Sequence, residues 1–207
     1  MNALAQITLV AAAWCVLHSL LIAPGLESRL RRRLGPRAAW SRLAYNLVAT
    51  VTLLAALLFF HRLPADPLWR WHGLWQISRA ALMVAALWLG WLGARAHDNA
   101  VFLGLRQIRD ARAGRTPLPP RFSRGGVLGL IRHPWYSAGI LLLIVMRDFT
   151  TTNVVWRAVF VLYLLLGTWL EERKLLQIFG DDYAAYRREV PAFLPRPGRR
   201  HRRRRPR

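Results

Sequence analysis

Five apolar runs of 17 to 21 residues constrain this chain more than any other feature of it. They cover Leu4 to Ala23, Leu43 to Phe60, Ile77 to Ala94, Gly126 to Met146 and Val154 to Leu170. At a rise of about 1.5 Å per residue, some 20 apolar residues cross a hydrocarbon layer about 30 Å thick. No strand alternation and no internal repeat break the pattern. The expectation is an all-α integral membrane protein with five transmembrane helices, forming one membrane domain over residues 1–194. The first run lacks a basic leading segment, is longer than the apolar core of a secretory signal, and is followed by Arg29 and Arg31 to Arg33. It reads as a retained span.

The basic residues set the orientation. Lys and Arg number 31 against 10 Asp and Glu, a net charge of +21. Six Arg lie between runs one and two, and seven between runs three and four. The second connector holds only Arg62 and Arg70, with Arg79 just inside run three, and twelve Lys and Arg follow run five. Basic connectors stay in the cytoplasm, so the N-terminus is expected outside and the C-terminus cytoplasmic. Localisation follows as a multi-pass integral membrane protein. Trp69, Trp71 and Trp75 in the outer connector read as an interfacial aromatic belt. The segment 195–207 is too charged to fold alone and reads as a disordered tail on anionic lipid headgroups, with no nucleic acid expected. The single cysteine, Cys15, excludes an intramolecular disulfide framework and a Cys-rich metal site, and no metal is expected.

Two clusters violate the apolar rule. Arg132-His133-Pro134-Trp135-Tyr136 interrupts run four, and Glu171-Glu172 follows run five. Ionisable groups at bilayer depth cost a few kcal/mol each, so they need partners or a task. Pro134 lacks an N–H and clashes with the carbonyl four residues back, which predicts a broken fourth helix. Counted from Thr150, His133 lies 17 residues back and Glu171 lies 21 residues on, so an antiparallel hairpin brings them to similar depth. Two carboxylates at a helix C-terminus need a cation. Arg132, Arg173 and Lys174 are candidates, as is a positively charged small molecule. Salt bridging for the glutamates, snorkelling for Arg132 and a satisfied buried ring for His133 are the structural alternatives. Further on, Leu175, Phe179, Tyr183, Tyr186 and Val190 form an apolar stripe, predicting an interfacial segment over 174–190 that Gly180 interrupts.

These residues resemble a known family. Arg132-His133-Pro134-x-Tyr136-x-x-Gly139, followed by Glu171-Glu172-x-x-Leu175-x-x-x-Phe179-Gly180-x-x-Tyr183-x-x-Tyr186-x-x-x-Val190-Pro191, is similar to the isoprenylcysteine carboxyl methyltransferase and phospholipid methyltransferase superfamily. His18-Ser19, Arg42-Leu43-x-Tyr45-Asn46 and Phe102-Leu103-Gly104-Leu105-Arg106-Gln107 resemble its bacterial branch of methanethiol S-methyltransferases and NnrU-type membrane proteins.

The resemblance implies an S-adenosyl-L-methionine-dependent methyltransferase without a dinucleotide-binding domain. Carried over, Arg132, His133, Pro134, Tyr136, Glu171 and Glu172 hold the cofactor, with His133 or Glu171 as proton acceptor. A small-molecule or lipid acceptor is implied, entering from the membrane or the cytoplasm. Prenylcysteine enzymes carry an Arg one turn before the glutamates and a Tyr five residues before the His. Gly167 or Thr168 and Leu128 stand at those places here, which favours a smaller or neutral nucleophile such as a thiol. Isoprenylcysteine-type carboxyl or phospholipid N-methylation, an NADPH-dependent sterol-type reductase and a non-enzymatic NnrU-like accessory protein are the other readings.

Overall fold

A computed structural model describes residues 2–116, 119 and 121–196. Eight helices follow one another: α1 (Ala3–Ile22), α2 (Pro24–Leu34), α3 (Ser41–Arg62), α4 (Leu74–Ala96), α5 (Asn99–Leu103), α6 (Leu105–Arg112), α7 (Pro134–Val145) and α8 (Thr151–Glu189). A 3-10 turn at Gly35–Trp40 joins α2 to α3, and another at Gly126–Gly129 precedes α7. Starts are chemically marked. The Asn2 side chain accepts from the Ala5 amide at the head of α1. Thr150 and Asn153 form a reciprocal capping box at the head of α8.

Four helical stretches are long and apolar enough to cross a membrane among the described residues: Ala3–Ile22, Pro24–Arg62, Leu74–Ala96 and Thr151–Glu189. The fifth expected run is a 12-residue apolar helix, α7, which begins at Pro134 instead of Gly126. The helix starts afresh at Pro134 because a proline fits the first helical position, where no N–H is needed.

The core lies where α1, α3 and α8 meet. Ile7, Ala11 and Cys15, spaced by four on α1, pack against Ala56 and Phe60 of α3 and Trp156 and Phe160 of α8. On the other side α7 packs against both α8 and α4. Trp135 donates to the Gly90 carbonyl at 3.1 Å and its ring covers Gly93, where an added Cβ would meet Cδ1 at 2.5 Å. The outward faces are apolar. Leu9, Val16 and Leu20 on α1, Leu47, Val51, Leu54 and Leu58 on α3, and Ile77, Val84 and Leu87 on α4 are all exposed. Apolar surface on this scale suits a lipid surround, and the chain has the build of an integral membrane protein.

One expectation of an entirely helical fold needs amendment. Pro67–Trp69 (β1) and Phe149–Thr150 (β2) form a short antiparallel ladder. It ties the α3–α4 connector to the α7–α8 turn, supported by Thr152 donating to the Pro64 carbonyl at 2.6 Å. The tryptophans read as a belt belong to this joint: Trp69 packs edge-on to Trp71 at 4.5 Å and lies 5.8 Å from Phe149. Arg79 closes the far end of α7 by donating to the Val145 and Met146 carbonyls at 2.8 and 2.9 Å.

The segment expected to run separately over 174–190 is continuous with run five. Polar residues carry α8 on past Leu170, and the non-helical residue is Gly180, at φ 52° and ψ −128°. Glycine tolerates that positive φ. Beyond it Tyr183, Tyr186 and Val190 bury themselves with Leu175, Phe179 and Phe122, so the stripe read from spacing forms one cluster. Of the basic tail 195–207, residues 197–207 lie outside the described residues.

Replacing Gly93 by Leu should destabilise the α4–α7 contact by about 1–3 kcal/mol. Gly90→Ala, whose Cβ would meet only Ala138 Cβ at 3.7 Å, should be tolerated. Thermal unfolding of both variants in detergent checks the contrast.

Candidate functional site

The site begins with backbone groups that a broken helix leaves open. Arg132 and His133 precede α7, with His133 at its N-cap. Their N–H groups donate to the Pro191 and Ala192 carbonyls at 2.9 and 3.0 Å. Ser137 donates to the Phe193 carbonyl at 2.9 Å, and Tyr186 to the Leu128 carbonyl at 2.6 Å. The segment after α8 therefore straps the break, and the backbone that the broken helix leaves open is satisfied by protein.

Glu172 is the hub. Its carboxylate accepts from Arg132, whose Nε lies at 2.9 Å, and from His133 Nε2 at 3.1 Å. Arg187 Nε reaches its other oxygen at 3.2 Å. Arg132 also donates to the backbone carbonyls of Arg187 and Val190. The side chains of Arg132 and Glu172 are only 9% and 11% exposed, so this pair is desolvated and must be fully bonded to be tolerated.

Glu171 stands apart from the hub. Its Oε2 lies 3.5 Å from His133 Nδ1, its side chain is 37% exposed, and the Tyr136 ring stands edge-on to the His133 ring at 5.6 Å. His133 is 3% exposed in its side chain and faces both glutamates, one with each ring nitrogen. Both carboxylates thus converge on His133, where helical geometry alone predicts only one inward-facing residue. The expected cations are partly different. Arg132 takes part, but Arg173 lies over the Trp169 ring at 4.7 Å, and Arg187 supplies the second charge. The dipole argument also changes, because α8 does not end at Glu171. The two carboxylates instead face the N-terminal end of α7, which carries partial positive charge.

Sequence reasoning missed Arg187 and the strap. Nothing in spacing alone links residue 187 to 172. It also left Tyr163 unremarked, although Tyr163, Gly167 and Glu171 recur every four residues on one face of α8. Gly167 has a concrete role there: an added Cβ would come within 3.3 Å of the Tyr136 ring. Gly167 is therefore the seat of Tyr136, and a larger side chain would displace it.

The three N-terminal motifs come together beside this face. His18 Nε2 lies 2.6 Å from the Tyr45 hydroxyl, and Nδ1 lies 2.7 Å from the Tyr163 hydroxyl. Ser19 adds a 2.9 Å contact to Tyr163. Asn46 and Arg42 donate to the Phe102 carbonyl at 3.0 and 3.3 Å. Gly104, at φ 89°, lets α5 approach α3, since a Cβ there would meet the Leu43 amide at 2.8 Å. Among the described residues no group of three or more His, Cys, Asp or Glu suits a metal ion.

Fold and site together define a helical integral membrane protein with an ion-paired polar centre at a broken helix. No family model matches the chain, and no solved structure matches it. Curated relatives do. The chain is 30% identical over 193 residues to methanethiol S-methyltransferase 2 of Bradyrhizobium diazoefficiens, covering 91% of this chain and 71% of that protein. It is 30% identical over 164 residues to the methanethiol S-methyltransferase of a Pseudomonas species, covering 77% and 61%. The enzyme of that name from Mycobacterium tuberculosis is 28% identical over 193 residues, covering 90% and 75%. The chain belongs to the methanethiol S-methyltransferase family, within the isoprenylcysteine carboxyl methyltransferase-like superfamily. It spans 61% of the length of the Pseudomonas relative.

Glu172→Gln leaves two guanidinium groups facing a neutral amide, and breaking such a buried pair typically costs about 3–5 kcal/mol. Glu171→Gln should cost far less, because that side chain is more than a third exposed. Comparing the melting temperatures of the two variants in detergent checks the assignment of hub and free carboxylate.

Proposed function

We propose that this protein is an S-adenosylmethionine-dependent membrane methyltransferase that methylates the sulfur of a small thiol. The observation that carries the reading is Glu171: a half-exposed carboxylate beside a fully bonded ion-pair hub, on a chain whose relatives are named methanethiol S-methyltransferases. The residues fit the cofactor in kind. Glu171 is acidic and accessible, as a site for an ammonium or sulfonium group requires, and the Tyr136 ring stands edge-on to the neighbouring His133 ring.

In this reading Glu171 and Tyr136 contact the cofactor. Arg132, His133, Pro134 and Glu172 hold them in place. When bound, S-adenosylmethionine supplies an electrophilic methyl group. The protein's part is to fix the acceptor sulfur about 3 to 3.5 Å from that carbon and to keep water out. Of the two proton acceptors inferred from resemblance, His133 has both ring nitrogens turned to carboxylates, and Glu171 serves best ionised beside a cation. Both are assigned holding roles. Gly167 favours a thiol over a prenylcysteine carboxylate, since it offers no guanidinium to grip one and even a Cβ there would meet the Tyr136 ring at 3.3 Å.

The topology belongs to the same proposal: five crossings, with the N-terminus outside and the basic tail on the cytoplasmic side of a bacterial inner membrane. At about 1.5 Å per residue α7 alone covers only part of the layer, and the strapped segment before Pro134 completes the crossing.

S-adenosylhomocysteine should stabilise the purified protein in detergent and NADPH should not. Glu171→Gln should weaken S-adenosylhomocysteine binding by about ten- to a hundredfold, the loss of one charge-assisted contact of about 1.5–3 kcal/mol, with membrane insertion unchanged. Calorimetric titration checks both, and a headspace assay for dimethyl sulfide from methanethiol checks the acceptor. Equal stabilisation by NADPH would turn the reading toward a reductase, and no response to either toward an accessory protein.

A further inference from the structure

A thiol must lose its proton to be methylated to a neutral thioether, and in the reading above His133 and Glu171 are both given holding roles. Among the described residues, another cluster of polar side chains on the same face of α8 is formed by His18, Ser19, Tyr45 and Tyr163. Tyr163 sits one helical turn from Gly167, and Gly167 carries the Tyr136 ring. The two clusters are therefore the two ends of one polar strip along Tyr163, Gly167 and Glu171, about 12 Å long by helical rise.

The hydrogen inventory of the cluster suits proton uptake. Three hydroxyls and a neutral imidazole carry four hydrogens, while Ser19–Tyr163, Tyr163–His18 and His18–Tyr45 are three contacts. With the ring hydrogen on Nε2, His18 donates to Tyr45 and offers the Nδ1 lone pair to the Tyr163 hydroxyl. The Tyr163 oxygen then keeps lone-pair capacity for a further donor. Ser19 and the acceptor's S–H are the donors in reach of that oxygen. Trp14, 4.9 Å from the His18 ring, helps fix the imidazole plane.

Resting on the thiol-methyltransferase reading, we infer that the Ser19–Tyr163–His18–Tyr45 cluster is the acceptor subsite, in which His18 takes the thiol proton through Tyr163. The thiol S–H gives its proton to the Tyr163 oxygen as the Tyr163 hydroxyl gives its own to His18 Nδ1. The sulfur lone pair forms the new S–C bond to the methyl carbon. The electron pair of the old C–S bond stays with the leaving sulfur, which becomes a neutral thioether. His18 ends as an imidazolium and returns its proton to water by way of Tyr45. Charge balances: one sulfonium is lost and one imidazolium is gained. Tyr163 touches the substrate and is catalytic in this scheme, and His18 acts through it.

The test separates proton uptake from structure by varying the acidity of the acceptor. In His18→Asn and Tyr163→Phe, methylation of an alkyl thiol near neutral pH should fall by about 10²-fold or more, the usual contribution of a positioned acid–base group. The deficit should shrink as pH rises, and an aryl thiol already ionised at neutral pH should be methylated at a rate within a few fold of wild type. S-adenosylhomocysteine affinity should stay unchanged in both variants. In wild type without cofactor, the imidazole resonance that His18→Asn removes should shift when a small thiol is added. A loss equal for alkyl and aryl thiols, or no loss, overturns the assignment, as does a resonance indifferent to thiol. If His18→Asn fails to fold, Tyr163→Phe carries the same comparison. Wild-type protein that neither binds S-adenosylhomocysteine nor methylates any thiol would instead remove the thiol-methyltransferase reading itself.

Discussion

The desolvated carboxylate of Glu172 is the constraint on which the rest of the site depends. It is bound by three side chains from two distant segments: Arg132 and His133 before α7, and Arg187 beyond the Gly180 break. An isolated charge at this degree of burial would be too costly to keep, so each partner must arrive for the others to be tolerated. Arg132 extends the arrangement into the backbone through the carbonyls of Arg187 and Val190. Charge pairing and strand-like backbone bonding thus hold the same joint, and the half-free Glu171 inherits a fixed position without spending its own carboxylate on it.

Much of this was legible in sequence because lipid simplifies the problem. Long apolar runs announce helices, and a His-Pro pair inside one announces a break. The convergence of His133 with the glutamates followed from counting residues across the α7–α8 turn. Other features could not be read. The length of α8 escaped because hydropathy drops at Glu171 while helix geometry does not. Arg187 and the Pro191–Phe193 strap escaped because tertiary ion pairs and backbone carbonyls leave no periodic trace. The small β1–β2 ladder escaped because two or three residues carry no alternation.

Gly167 and Gly93 show how absence of a side chain works as a positioning device. Each lets an aromatic ring of the Trp135–Tyr136 pair settle on a neighbouring helix, Trp135 against α4 and Tyr136 against α8. The two consecutive residues point to opposite helices, so the start of α7 is clamped from both sides. On α8 the Tyr136 ring thus lies over Gly167, between Tyr163 and Glu171.

The strap over residues 132 and 133 has a consequence for biogenesis. The amides of Arg132 and His133 find their acceptors on Pro191 and Ala192, nearly 60 residues later in the chain. Until the chain beyond α8 is made, those amides lack their Pro191 and Ala192 acceptors and the Arg132 guanidinium lacks the Val190 carbonyl. The apolar helices can enter the bilayer one after another, but the polar centre cannot close during that time. Its closure is a single late event, made when the chain beyond Gly180 folds back, and until then a membrane-inserted protein has no assembled site.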